Sequence, residues 1–209
     1  VYGISRHENI HHHSYNHITK DLSKIDEVCG INFDHFDIQN PKKLVLVNNA
    51  GRVGPVKYLG TANDLEIPET VNLNLTAPLI LMNKFIREFR EAGCPLIILN
   101  ISSGAAVNPI DGWGLYCSTK SGLQMASQVV NEEADITRSD IKVFSIAPGI
   151  VDTKMQDKIR EADEKDFSRL KEFQSLKKNK LLVSTKHVAN ELYNIIANHD
   201  EYNETTFRI

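Results

Sequence analysis

An α/β fold with a doubly wound parallel sheet is predicted by three observations: short runs apolar on both faces, helix-length segments alternating with them, and no internal repeat or linker. Residues 43–48 (KLVLVN), 95–102 (PLIILNIS) and 141–147 (IKVFSIA) are the runs, and strands covered on both sides in parallel sheets read this way. The first intervening segment, 69–92, repeats Val71, Leu75, Leu79, Met82, Phe85, Ile86 and Phe89 at three- and four-residue steps, which is a helical face. Leu123, Ala126 and Val130 mark the same face in 114–137. Residues 1–5 and 32–36 read as two further strands, the latter feeding Asp37. After Pro148-Gly149 the chain turns helical and highly charged over 154–180, an amphipathic helix follows at 185–198, and 206–209 closes as a strand. A single domain over 1–209, with right-handed crossovers, is the expected organisation.

Only residues 38–42 separate the 32–36 strand from the 43–48 strand, and five residues cannot hold the crossover that parallel neighbours need. The chain is therefore either shortened there, or its numbering closes over a disordered segment; the second is the expectation.

Composition narrows the function. The 209 residues carry 24 Lys plus Arg against 27 Asp plus Glu, a formal charge of -3, so no basic excess points to nucleic acid or an anionic membrane surface. Apolar runs stop far below the roughly 20 residues of a membrane span. No apolar segment follows a basic start, so no secretory leader is expected. Three irregularly spaced cysteines, Cys29, Cys94 and Cys117, argue against a disulfide framework or a zinc site. A cytoplasmic setting follows as the default.

Ser103, Tyr116 and Lys120 carry the chemistry. Tyr116 and Lys120 stand four apart at the start of a predicted helix and share its face. A phenol with a reference pKa of about 10 is a poor acid–base group at neutral pH. A cation roughly 5 Å away at an effective dielectric near 20 is worth about 3 kcal/mol, some two pKa units, which would bring the phenol toward working range. Ser103 ends the 95–102 strand, where its hydroxyl can bond a substrate oxygen, and strand carboxyl ends are where open α/β sheets hold ligands.

Ser103, then Tyr-x-x-x-Lys at Tyr116 and Lys120, preceded by N-N-A-G at 48–51 and followed by P-G at 148–149, resembles the short-chain dehydrogenase/reductase family. The stretches GWGLYCSTK at 112–120 and PGIVDTKMQ at 148–156 are similar to its sepiapterin reductase and benzil reductase branch. The resemblance implies a Rossmann-like fold and NADPH-dependent reduction of a small carbonyl compound, such as a diketone or a pterin side-chain ketone. Within it, Tyr116 gives the proton, Lys120 lowers the phenol pKa and holds the nicotinamide ribose, and Ser103 orients the carbonyl. Asn74 matches the helix asparagine that supports a water relay; Asn72 competes, and the N-L-T context favours Asn74. The resemblance places Asn48, Ala50 and Gly51 along the cofactor, Asp37 at the adenine amino group, and Pro148, Gly149, Val151 and Thr153 at the nicotinamide carboxamide. It also implies a homodimer or homotetramer built through the helices of Asn74 and Tyr116.

Cofactor choice rests on Ser5 and Arg6 after the first strand. An acid there suits NAD, whereas a guanidinium suits a 2′-phosphate, so NADP(H) is favoured over NAD(H), with Glu8 two positions on as the dissenting residue. The family's T-G-x-x-x-G-x-G turn has no counterpart in these residues, the chain opening in what the resemblance makes the second strand; the turn is expected to exist outside them. Near the last strand, where sepiapterin reductases present an aspartate to the pterin, only Asp200 and Glu204 are available.

Plainer readings stand beside these. Trp113 is a substrate-binding candidate, with packing as the alternative. His11, His12 and His13, with His7 and His17 nearby, read as a solvated helix face and not as a metal site. Cys117 reads as a buried small side chain, and residues 154–180 as a mobile substrate-covering lid. The rival activities are an NAD-dependent alcohol dehydrogenase and a catalytically idle NADP-binding or scaffold protein.

Overall fold

The structure is a computed structural model describing residues 1–8, 10–34, 36 and 38–209. The three both-face apolar runs form β3 (Leu44–Asn48), β4 (Leu96–Ile101) and β5 (Ile141–Ala147), and the C-terminal run forms β6 (Thr206–Arg208). They lie side by side in that order, all parallel, with Asn48 opposite Asn100 and Asn100 opposite Ser145. A separate parallel pair joins β1 (Tyr2–Ser5) to β2 (Asn16–Thr19).

Helices cover both faces of the four-stranded sheet, as the uninterrupted apolarity of β4 requires. On one face Leu96 and Ile98 pack with Leu81, Met82 and Phe85 of α3 (Ala77–Phe89) and Leu123 of α4 (Gly114–Thr137). On the other, Ile97 and Leu99 join Phe144, Ile146 and Ile195 of α7 (Thr185–Ala197). The α4 boundaries match the sequence expectation, and its buried residues Tyr116, Thr119, Lys120, Leu123, Ser127 and Ala134 keep helical spacing.

Four expectations are corrected. Residues 32–34 and 36 are turn and loop, not strand. Their apolar character serves packing: Phe33 meets Phe85 and Phe89 edgewise or tilted, and Phe36 stacks on Tyr2 at 4.0 Å. The strand lies instead at β2, within the histidine-rich stretch read as a helix face. That relocation removes the crossover conflict, since residues 20–43 connect β2 to β3 and include a short helix α1 (Ile25–Cys29). No missing segment is needed there. The short connection falls earlier: residues 6–15 link two parallel strands, fewer than the usual dozen.

The single helix expected over 69–92 is broken. It comprises α2 (Glu66–Val71), a π-helical turn at Asn72–Thr76 and then α3. Beyond β5, α5 (Lys154–Arg160) and α6 (Leu170–Lys178) make up most of the charged stretch. Their apolar sides, with Phe167 between them, form a second core with Trp113 and Tyr116.

Candidate active site

β4 ends at Ile101, and the chain leaves it through Ser102 and Ser103. Ser103 caps the short helical turn Gly104–Ala106, its hydroxyl accepting from the Ala105 N–H at 3.2 Å. Ser121 of α4 donates to the Ala106 carbonyl at 2.5 Å, tying that turn to the first turns of α4. Tyr116 and Lys120 therefore stand beside the carboxyl end of β4. The Lys120 ammonium donates to the Ile101 carbonyl at 2.6 Å and lies 5.7 Å from the centre of the Tyr116 ring.

Both groups are nearly out of solvent, which changes the expected electrostatics. Burial pushes the Tyr116 phenol above its ordinary value, opposed by the adjacent Ser103 hydroxyl. Burial also lowers Lys120 to about 8. The expectation of a phenol brought toward neutrality by its lysine is corrected for this geometry, because spacing shows the neighbouring charge but not its desolvation. The lysine is turned to a backbone oxygen. A raised phenol keeps its proton at neutral pH, the form a proton donor needs.

The π-helical turn carries Asn74 into the same place. Its amide spans the Arg52 backbone, accepting from the N–H at 2.9 Å and donating to the carbonyl at 2.8 Å, and it also donates to the Thr119 hydroxyl at 3.1 Å. A side chain at Gly51 would start 3.4 Å from Asn74 Oδ1 and 3.6 Å from Lys120 Nζ, so this residue is the close approach between turn and lysine.

A cavity of about 980 Å³ opens over these residues. Gly51, Ser103, Trp113, Tyr116, Lys120, Pro148, Gly149, Val151 and Thr153 all line it. Its charged lining residues, Lys120, Lys154, Arg169 and Arg208, are all cationic, and no carboxylate is among the described residues of the wall. Met155, Ile159 and Phe173, from α5 and α6, supply an apolar side. The segment is fastened at Asp111, which accepts from the Ser168 N–H and hydroxyl at 2.7 and 2.9 Å, and by an ion pair between Lys57 and Asp166. Gly112, at φ +71°, lets the Asp166 carbonyl approach where a side chain would collide.

Residues 12–164 match the family described as short chain dehydrogenase. The chain belongs to the short-chain dehydrogenase family. It is 35% identical to a benzil reductase ((S)-benzoin forming) of Bacillus cereus, over 94% of this chain and 83% of that protein. It is 37% identical to a benzil reductase of Bacillus subtilis (strain 168) over 73% of this chain, and 33% identical to the sepiapterin reductase of Bos taurus over 78%; it spans 63% and 61% of those two. Among solved structures, the KRED1-Pglu enzyme superposes with a TM-score of 0.73 at 24% identity, covering 88% of this chain and 75% of that one. A short-chain dehydrogenase from Sphingobium yanoikuyae in complex with NADPH gives 0.69 at 18% identity, covering 93% and 67%. These superpositions show a common fold.

Other residues singled out in this short-chain dehydrogenase lie elsewhere. Asn48 is buried and donates to Asn100 at 2.8 Å, which in turn donates to Ser127 at 2.8 Å; its side chain is committed to the sheet, and neither it nor Ala50 lines the cavity. Asn49 does. Ser5 and Arg6 are exposed at the end of β1, outside the cavity wall. Asp37 lies outside the described residues. Asp21, just past β2, was missed because that strand was missed; its carboxyl is held low chiefly by the Ser23 hydroxyl, with Arg6 a weaker contributor. Cys117 is half-buried with Sγ 3.9 Å from the Asn108 carbonyl. Asp200 is exposed, 3.3 Å from Nε2 of the buried His199, and Glu204 borders a separate recess.

Proposed function

We propose that this protein reduces a small carbonyl compound with NADPH, Tyr116 supplying the proton to the carbonyl oxygen. The observation that carries the reading is the convergence of Ser103, Tyr116 and Lys120 on one cavity, where the phenol carries its proton at neutral pH. Ser103 and Tyr116 offer two hydroxyls to one oxygen, stabilising the charge that develops there. Lys120, an ammonium below about pH 8, supports that charge from behind the phenol. Asn74 keeps the turn at Gly51 and Arg52 in register with α4.

The donor set fits a nicotinamide dinucleotide. Among the described residues the wall is cationic without an acid, which suits a pyrophosphate, and Thr153, Asn49 and Lys120 offer polar hydrogens along it. When bound, the cofactor supplies the hydride. Arg6 beside Asp21 at the β1–β2 end supports NADP over NAD, as a guanidinium matches a 2′-phosphate.

Of the two relatives' activities, the cavity favours the diketone. A pterin ring presents several N–H donors that call for an acid, and neither Asp200 nor Glu204 reaches the wall, which is instead apolar and aromatic at Trp113, Phe173, Ile159 and Met155. Exposed Leu79, Met125 and Val129 on α3 and α4 support a homodimer or homotetramer, and three free cysteines support a cytoplasmic setting. Following NADPH consumption with benzil, sepiapterin and a simple aldehyde tests the reading. Turnover of benzil above sepiapterin is the expected result; no turnover of any carbonyl compound overturns it.

A further inference from the structure

Three buried polar atoms on residues of the cavity wall have no protein partner among the described residues: the Ser102 hydroxyl, where the chain leaves β4, and, on its apolar side, the indole Nε1 of Trp113 and the amide Oε1 of Gln156. Trp113 and Gln156 are only 6% exposed. Buried donors and acceptors are normally paired, so an orphan of each kind beside a reaction centre asks for a ligand that satisfies them. The indole is also immobilised. It stacks on Phe167 at 5.6 Å and meets Phe173 edgewise at 5.4 Å, while its remaining side stands perpendicular to the Tyr116 ring with centroids 5.5 Å apart. Packing thus fixes the indole that carries this unpartnered N–H against the Tyr116 ring.

We propose that Trp113 is a specificity-determining residue whose Nε1–H binds the second oxygen of a substrate bearing oxygens on adjacent carbons, a 1,2-dicarbonyl, while Tyr116 and Ser103 take the first. Gln156 Oε1 accepts from that second oxygen when it is a hydroxyl. This rests on the carbonyl-reductase reading above. The first carbonyl carbon gains a hydride from reduced nicotinamide and its oxygen gains the Tyr116 proton, giving an α-hydroxyketone; the second carbonyl keeps its bonds and only accepts the indole hydrogen bond. A monoketone of the same shape would leave the N–H unpaired, and sites built to pair a polar group discriminate strongly against analogues that lack it.

Trp113 is the single tryptophan of the chain, so ¹⁵N-tryptophan labelling gives one indole signal from the intact protein. With NADP⁺ present, 1-phenylpropane-1,2-dione is expected to move that N–H proton downfield and propiophenone to leave it near its starting position. In steady-state assays Trp113→Phe is expected to lower the ratio of kcat/KM for dione over monoketone by about tenfold or more, and Gln156→Leu to lower turnover of an α-hydroxyketone relative to the dione. Equal shifts with both ketones, no shift with either, or a Trp113→Phe ratio within twofold of wild type overturns the assignment. Should Trp113→Phe fail to fold, the resonance decides alone. The wild type separates the two readings: if it turns over no carbonyl compound, the reductase reading fails, whereas turnover together with an unchanged Trp113→Phe ratio removes only the role of the indole.

Discussion

Asn74 donates its amide to the Thr119 hydroxyl across 3.1 Å, and Thr119 donates its own proton to the Tyr116 carbonyl at 3.0 Å. One hydroxyl thus couples the π-helical turn to the turn of α4 that bears the phenol and the ammonium. Because Asn74 also grips both backbone groups of Arg52, the segment behind Gly51 belongs to the same network. Thr119→Val removes the hydroxyl at nearly constant volume inside a fully packed site. A loss of about 1–2 kcal/mol in stability is expected from the broken pair, read from urea midpoints. Turnover is expected to fall about tenfold, and Thr119→Ser, which keeps the hydroxyl, to recover most of it.

Tyr116→Phe removes the proposed acid and little else, since the ring keeps its edgewise contact with Trp113. General acid catalysis is worth about 10²–10⁴ in rate, so turnover is expected to fall by at least about a hundredfold. Binding of NADPH, titrated by its fluorescence, is expected to stay within a few-fold of wild type. Wild-type turnover in the variant would move the proton donor to another residue.

The central sheet was legible because β3, β4 and β5 are apolar on both faces, a signature that helices on each side impose and that loops do not share. Strand β2 was not legible. Asn16–Thr19 offers a single apolar side chain, Ile18, and it sits at the edge of a two-stranded pair whose outer side needs no hydrophobe. Phe33 and Phe36 misled in the opposite direction, since a loop wedged under α3 also packs apolar side chains into the core. At the site, the four-residue step from Tyr116 to Lys120 announced their proximity, but proximity fixes only the Coulombic part of a pKa. Burial depends on Phe167, Phe173 and Ile159 arriving from residues far along the chain, and no local pattern reports that.

Lys120 gives the stability of the protein a pH dependence of definite sign. Its folded pKa of about 8 lies below the ordinary 10.5, so between those values the unfolded chain binds more protons than the folded one. Stability is therefore expected to rise with pH from about 8 toward 10, by on the order of 2 kcal/mol. Above 10 the raised Tyr116 phenol acts in reverse, as the folded chain then holds a proton that the unfolded chain has lost. Urea midpoints measured across pH 7–10 on wild type and Lys120→Met test this, the variant losing the rise. Reductive turnover is expected to move oppositely, declining above about pH 8 as the ammonium deprotonates.

Arg6 offers the cleanest test of cofactor choice, because it lies outside the cavity wall and its removal leaves Ser103, Tyr116 and Lys120 untouched. It is exposed at the end of β1, close enough to Asp21 for its charge to help hold that carboxyl low. A charge-assisted contact to a 2′-phosphate is worth about 1.5–3 kcal/mol, which corresponds to roughly ten- to a hundredfold in binding. Arg6→Ala is accordingly expected to raise KM for NADPH by at least about tenfold while changing KM for NADH little. Arg6→Asp is expected to go further and reverse the preference, since an acid at a strand end bonds the free ribose hydroxyls and repels the phosphate. Equal effects on the two cofactors would mean that the guanidinium acts on the fold near Asp21 and not on the nucleotide.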